Sequence, residues 1–165
     1  MHVDQVRVLF DYNYWANGRI LETVEKLSVE QYNAIVPGVS HGSVRATLVH
    51  ALSAERVWRQ RCLAGESPTS LLRAADCPTP ASLCDLWAKE EAAMRDGLAR
   101  LTDEALAGQI AYRTTAGTPM EGTLWHLLIH VVNHGTQHRA EAAVALTAFG
   151  HSPGDVDMIV YFRQS

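Results

Sequence analysis

Four histidines spaced four residues apart lie in one long apolar segment near the end of the chain. They are His126, His130, His134 and His138. In an α-helix a step of four residues advances by about 400°, so each histidine lies about 40° further round the helix than the one before it. The four side chains therefore cannot share one direction, and their spacing predicts which of them point into the protein.

The apolar residues of the same segment give the direction of the core. They are Leu124, Leu127, Leu128, Val131, Gly135, Ala142, Ala145, Leu146 and Phe149, and they centre on the direction of Leu124. Relative to Leu124, His126 falls at about 200° and His130 at about 240°, on the polar side and its flank. His134 falls at about 280° and His138 at about 320°, within the arc that faces the core. We therefore predict that His134 and His138 point inward. His126 and His130 are expected at the surface, and His130 could instead line the mouth of a pocket or contact a metal ligand.

Periodic apolar residues predict four long helices, over about residues 3–27, 43–65, 82–101 and 123–149. Ser43 is placed to cap the second helix, and Gly150 ends the fourth. Residues 102–121 break the helical pattern and indicate a short hairpin or an extended loop, and the tail is expected to form a short helix or strand. The pattern predicts an all-α four-helix bundle, and the length of 165 residues fits one domain over residues 1–165.

Charge and composition exclude several classes of protein. The net charge of −4 gives no electrostatic reason to expect nucleic-acid binding. No run of 18 apolar residues appears, and the N-terminal segment lacks the pattern of a signal peptide, so we expect no membrane insertion. Three cysteines without C-x-x-C spacing argue against a disulfide framework and favour a reducing cytoplasm.

Two histidines one helical turn apart can bind one metal ion, and His134 and His138 have this spacing. Gly135 occupies the position of the glutamate in H-E-x-x-H, so a metalloprotease would lack its general base. A third ligand has to come from another helix, and His50 is the best candidate because small residues surround it in the second helix. His41, like His151, lies beside glycine or serine in a predicted loop, and it is set aside.

Other interpretations of these side chains stay open. A single inward histidine such as His50 is often a hydrogen-bonded core residue, and all three histidines can pack in a metal-free bundle. Glu55 and Arg139 lie on apolar arcs of the second and fourth helices. Because an unpaired buried charge is costly, we expect Glu55 and Arg139 to pair with each other or with nearby polar groups, or to line the pocket of the metal.

The chain resembles the DinB/YfiT-like metalloenzyme superfamily, which is distinct from the DNA polymerase that shares the DinB name. The matching segments are YNYWANGRIL, HALSAERVW, and HVVNHGTQHR followed by a helix and GHSPGDVD. The resemblance implies a four-helix bundle in which His50, His134 and His138 bind a divalent metal, commonly zinc or nickel, in proteins that are often dimers. Many relatives have HRGQ where this chain has HRAE, which puts one pocket side chain in doubt but none of the ligands.

Three imidazoles and an open position are typical of catalytic zinc, because structural zinc has four protein ligands. We therefore expect a metal-dependent transferase or hydrolase. The resemblance implies the thiol-dependent S-transferase type, with a low-molecular-weight thiol as the partner. Glu55 and Glu141 are the acidic residues of the two ligand-bearing helices, and neither is assigned as a catalytic base. The alternative is a metal-binding stress-response protein without turnover.

Overall fold

The computed structural model describes residues 1–164, and this part of the chain is mostly helical. Its long helices are α1 (Val3–Val24), α3 (Val44–Arg59), α4 (Pro80–Ala99) and α6 (Leu124–Ala148). The shorter elements are the helices α2 (Val29–Asn33), α5 (Asp103–Ala107) and α7 (Met158–Phe162) and the strands β1 (Gln109–Arg113) and β2 (Pro119–Thr123). Each of the four predicted long helices is present, and the small sheet makes the all-α description approximate.

Local capping explains where the ligand-bearing region begins and ends. The Ser43 hydroxyl accepts a hydrogen bond from the backbone N–H of Ala46 at 3.1 Å, as expected for the cap of α3. After α3 the helix continues through one π-helical turn, Gln60–Ala64. The helix ends at Gly65, whose φ is 67°. Gly150 follows α6 with a φ of 83°, which suits a glycine after a helix.

The start of α4 differs slightly from the sequence prediction. The helix begins at Pro80, because the Thr79 hydroxyl accepts a hydrogen bond from the backbone N–H of Ser82 at 3.2 Å. Ser82 therefore lies in the first turn of the helix and does not precede it. Proline is well suited to this first turn, since its missing N–H would have no helical partner there.

The segment before α6 is a hairpin, which decides between the two predicted possibilities. Strands β1 and β2 are antiparallel, with Gln109 opposite Thr123 and Arg113 opposite Pro119. Because β2 ends at Thr123 and α6 begins at the next residue, the hairpin leads directly into the helix that carries the histidine ladder. The tail forms the short helix α7, in agreement with one of its two predicted forms.

Helix α6 packs against both α1 and α3, and α4 also packs against these two helices. The buried apolar residues form two clusters. The first includes Ile20, Leu48, Leu52, Leu83 and Leu146. The second includes Phe10, Met94, Leu106, Leu128 and Val131. Burial of these side chains holds α3 beside α6, and this packing sets the position of the site.

Within residues 1–164, no helix has both the length and the apolarity needed to cross a membrane.

Candidate metal centre

Three histidine rings meet between α3 and α6. His50 of α3 and His134 of α6 are half-buried, and His138 of α6 is buried. The Nε2 atom of His134 lies 3.2 Å from Nε2 of His50 and 3.2 Å from Nε2 of His138. The ring centroids of His50 and His138 are 4.8 Å apart. The structure thus brings together the three residues that are predicted from the sequence to be metal ligands.

The spacing of these nitrogens fits a divalent metal ion. Metal–nitrogen bonds of about 2.0–2.1 Å in tetrahedral geometry separate two ligand nitrogens by about 3.3 Å. In a neutral imidazole, Nε2 carries either one hydrogen or one lone pair, so Nε2 of His134 cannot form a good hydrogen bond with both neighbours. A metal cation can instead accept a lone pair from all three rings. The donor set therefore suits a metal better than a hydrogen-bonded cluster.

The surroundings of His50 and His134 favour the neutral form that binds metals. Burial, together with the neighbouring rings of His41 and His138, lowers the pKa of His50 to about 4. Burial likewise lowers the pKa of His134 to about 4, with contributions from His138 and His50. Since a metal ion competes with protons for these nitrogens, both rings are ready to ligate at neutral pH.

Glu141 holds the buried ring of His138 in its orientation. Nδ1 of His138 lies 3.1 Å from Oε2 of Glu141, and the same oxygen accepts a hydrogen bond from the Ser40 hydroxyl at 2.7 Å. Metal-binding histidines commonly donate their second ring N–H to a carboxylate, which fixes the tautomer and the direction of the ligating nitrogen. From the sequence, Glu141 is one of two acidic candidates for a base on the ligand-bearing helices, and its contact with His138 is not predicted. The three-residue step from His138 was the signal for this contact.

A fourth histidine, His41, which sequence analysis set aside, lies at the same place. Its ring stacks on His50 with centroids 4.0 Å apart and planes 24° apart. One ligand nitrogen from each of His41, His50 and His138 lies within 4.8 Å of the other two. This second set shares His50 and His138 with the first, and the 3.2 Å spacings at His134 are tighter than those of the second set.

His41 does lie in a loop, as predicted, but the loop turns back over α3. Gly42 makes this reversal possible, because its φ of 80° is in the left-handed region that favours glycine. The histidine and the glycine immediately before the capping residue Ser43 were the sequence signal that could have placed His41 beside α3. The exposed His41 ring lies at the solvent side of the cluster.

The other two histidines of the ladder are exposed, in agreement with their predicted angles. The His130 ring packs edge-on against Trp58 at 5.3 Å, and its centroid lies 5.7 Å from that of His134. His130 therefore lies beside the ring of His134. The His126 ring packs against Trp125, with centroids 3.9 Å apart.

Glu55 is buried and faces α1. Its Oε1 accepts a hydrogen bond from the Tyr14 hydroxyl at 2.8 Å, and its Oε2 accepts one from Nδ2 of Asn13 at 3.3 Å. Burial raises the pKa of the Glu55 carboxyl to about 7. Within residues 1–164 Glu55 forms no direct ion pair with Arg139, so of the two predicted pairings the structure has the one with nearby polar groups.

Arg139 is buried on the face of α6 that packs against α1. Its Nη1 donates hydrogen bonds to the amide oxygens of Asn13 and, at 2.8 Å, of Asn17, and its Nη2 donates to the Thr136 hydroxyl at 2.8 Å. Asn13 therefore bridges Arg139 and Glu55. This polar bridge joins α1, α3 and α6, and its described bonds involve none of the four clustered histidines.

Comparison with known proteins identifies the family of this chain. The model of the DinB family matches residues 1–164. The chain is also similar to Protein DinB of Bacillus subtilis (strain 168), with 27% identity over 166 aligned residues that cover 93% of this chain and 91% of the relative. The matched region includes every histidine of the candidate centre.

Proposed function

This chain belongs to the DinB family, and from that premise we propose that it is a metal-dependent enzyme with its divalent ion bound by His50, His134 and His138. The observation that carries the proposal is the convergence of three Nε2 atoms, with His134 at 3.2 Å from both neighbours. We interpret α1, α3, α4 and α6 as a four-helix bundle forming one domain, with the metal bound between facing helices.

Three protein ligands leave one coordination position open, which is typical of catalytic zinc. An ion bound there would lower the pKa of a bound water toward about 7 or hold a thiolate, which suits a hydrolase or a thiol-dependent S-transferase. Zinc and nickel are the proposed metals, although imidazole ligands also suit copper and iron. The proposed partner is a low-molecular-weight thiol, and the proposed assembly is a homodimer.

The side chains of this chain position the ligands and shape the access to them. Glu141 fixes the ring of His138 and is itself held by Ser40, so we assign it a positioning role. His130 and Trp58 border His134 on one side of the cluster. Glu55 is enclosed by Tyr14 and Asn13 and contributes to the packing of the helices. No residue is assigned as a catalytic base.

Elemental analysis of untagged protein tests the metal site. We expect a single divalent ion per chain in the wild type and in the control His126→Ala, and a large loss of metal in His134→Ala. His126 belongs to the same ladder but is exposed, so it controls for non-specific binding by surface histidines. A wild-type protein that is fully folded and free of metal would contradict the proposal.

Turnover is tested separately, by incubating the metal-loaded protein with low-molecular-weight thiols and electrophiles. We expect conversion that a chelator abolishes, and equal rates with and without the chelator would exclude metal-dependent catalysis.

The second candidate, a metal-binding stress-response protein without turnover, is favoured by one observation. His41 lies close enough to provide a fourth imidazole, and four protein ligands are typical of structural metal sites.

A further inference from the structure

We infer that His41 is a displaceable fourth ligand, which closes the coordination shell of the metal until an incoming molecule replaces it. The inference rests on the proposed metal site at His50, His134 and His138. It specifies how that site is regulated, because three ligands would come from helices and the fourth from a surface loop.

The position of the His41 ring is the first argument. It stacks on the His50 ring at 4.0 Å, and its ligand nitrogen lies within 4.8 Å of those of His50 and His138. Nitrogens that share a tetrahedral metal are about 3.3 Å apart, so the His41 nitrogen would have to come at most about 1.5 Å closer to those of His50 and His138. A small change in side-chain torsion can supply this movement without refolding the loop.

The backbone of the loop is held in place beside the site. The Ser40 hydroxyl donates a hydrogen bond to Glu141 at 2.7 Å, which connects the loop to α6. Within the loop, the N–H of Val36 donates to the carbonyl of Gly42 at 2.8 Å, and the N–H of Gly42 donates to the carbonyl of Val39 at 3.0 Å. The loop therefore keeps His41 near the metal position whether or not its ring is bound.

The exposure of the ring is the second argument. His138 is 4% exposed and His134 is half-buried, and both project from the same stretch of α6. His41 is exposed and projects from a loop, so it can leave the metal with the least loss of packing. It leaves as a neutral imidazole, and the lone pair of an incoming thiolate, hydroxide or other anion takes its place at the metal. This exchange breaks one metal–nitrogen bond and forms one new metal–ligand bond.

Cobalt(II) substitution tests this inference without any assay of activity. Untagged wild type and the variants His41→Ala, His134→Ala and His151→Ala are titrated with Co²⁺, and the visible absorption gives the dissociation constant and the coordination state. Each Co²⁺-loaded protein is then titrated with azide as the exogenous anion. His151 is the matched control, because it is another histidine outside the helices. Circular dichroism checks that each variant keeps its helices.

We expect His41→Ala to bind Co²⁺ at least about tenfold more weakly and azide at least about tenfold more tightly than wild type, since it loses a ligand and gains an open position. His151→Ala should match wild type in both titrations. Equal Co²⁺ and azide affinities in wild type and His41→Ala would overturn the inference. If His134→Ala still lost Co²⁺, the proposed metal site would stand.

Two other outcomes separate this inference from the proposed function. Retention of Co²⁺ by His134→Ala together with its loss from His41→Ala would overturn the inference, because His41 would then be an obligatory ligand. A folded wild-type protein that binds no Co²⁺ would contradict the metal site itself and, with it, the role of His41.

Discussion

At the scale of single residues, Glu55 is a carboxyl group enclosed between α3 and α1, with Tyr14 and Asn13 as its hydrogen-bond donors. Burial raises its pKa from 4.5 to about 7. The folded protein therefore binds a proton more tightly here than the unfolded chain does. The stabilisation that this carboxyl contributes is complete below pH 4.5 and is lost as the pH rises through about 7.

We predict that Glu55→Gln becomes more stable relative to wild type as the pH rises. The difference in the free energy of unfolding should change in favour of the variant by about 2–3 kcal/mol between about pH 5 and pH 8, since one pKa unit corresponds to about 1.4 kcal/mol. Urea unfolding in the presence of a chelator measures this difference. The other side chains are the same in both proteins, so their contributions cancel in the comparison.

The control for this experiment is Glu22→Gln, at an exposed position of α1. Its stability should follow that of wild type across the pH range. A constant difference between Glu55→Gln and wild type from pH 5 to pH 8 would contradict the raised pKa of the buried carboxyl.

Arg139 supplies the hydrogen bonds that hold Asn13, Asn17 and Thr136 in place. We predict that Arg139→Met lowers the free energy of unfolding by about 3 kcal/mol, because the buried amide oxygens of Asn13 and Asn17 lose their donor. Arg139→Lys should be nearly as destabilising, since one ammonium group cannot reproduce the fork of the guanidinium.

Urea unfolding of the metal-free proteins measures the free energy of unfolding of both Arg139 variants. Arg163→Met, at an exposed position, serves as the control. If Arg139→Lys were as stable as wild type, the geometry of the guanidinium would not matter and the polar bridge would be of little importance to the fold.

At the scale of elements, Gly135 determines how closely α6 approaches α1. A Cβ atom at this position would lie 2.9 Å from Nη1 of Arg139 and 3.1 Å from Oδ1 of Asn13. These two groups are hydrogen-bonded to each other, so neither can move away freely. The glycine in the H-G-T-Q-H segment, interpreted from sequence as a missing catalytic glutamate, is thus explained by packing.

We predict opposite effects on stability for Gly135→Ala and Gly18→Ala. Alanine is favoured over glycine inside a helix by about 1 kcal/mol, and a Cβ at Gly18 in α1 would meet no atom within 4 Å. Gly18→Ala should therefore stabilise the protein, whereas the crowding at Gly135 should make Gly135→Ala destabilising. Thermal unfolding of both variants checks the signs, and stabilisation by Gly135→Ala would show that the polar bridge adjusts easily.

Most of the helical framework could be predicted from the sequence. Each of the four long helices has enough apolar residues at helical spacing to define one buried side. Ser43 marks the start of α3, Gly65 the end of its π-helical extension, and Gly150 the end of α6. Helices α2 and α5 were missed. Each has five residues and buries only one of them, Tyr32 and Leu106 respectively, so no period can be detected in the sequence.

The candidate site likewise has a part that the sequence predicts and a part that it does not. The ladder on α6 is governed by helical geometry, so simple angles separate the inward His134 and His138 from the exposed His126 and His130. His41 depends instead on the path of a loop. That path is fixed by contacts such as Ser40 with Glu141, which are 101 residues apart in the chain, and local patterns carry no information about such contacts.

At the scale of the whole molecule, a metal ion at this site would connect helices far apart in the chain. His50 and His134 are separated by 84 residues, and the segment between them contains α4, α5 and the hairpin. Since the ligands come together only in the folded protein, binding of the metal stabilises the fold.

We predict that zinc at about 100 times its dissociation constant stabilises the wild-type protein by about 2.7 kcal/mol. For a chain of this size, this corresponds to an increase in Tm of roughly 5–10 °C. Thermal unfolding with zinc and with a chelator measures the shift. His134→Ala should show little or no shift, and an equal shift in that variant would indicate that zinc acts at another place.

The exposed pair His126 and His130 also affects how this protein can be handled in the laboratory. The two imidazoles lie one helical turn apart at the surface of α6, which is a spacing that can chelate an immobilised Ni²⁺ ion. The untagged chain should therefore be retained on a nickel affinity column and eluted with imidazole. Purification through this exposed histidine pair avoids an added tag. Nickel leached from the resin has to be removed by dialysis before the metal content is determined.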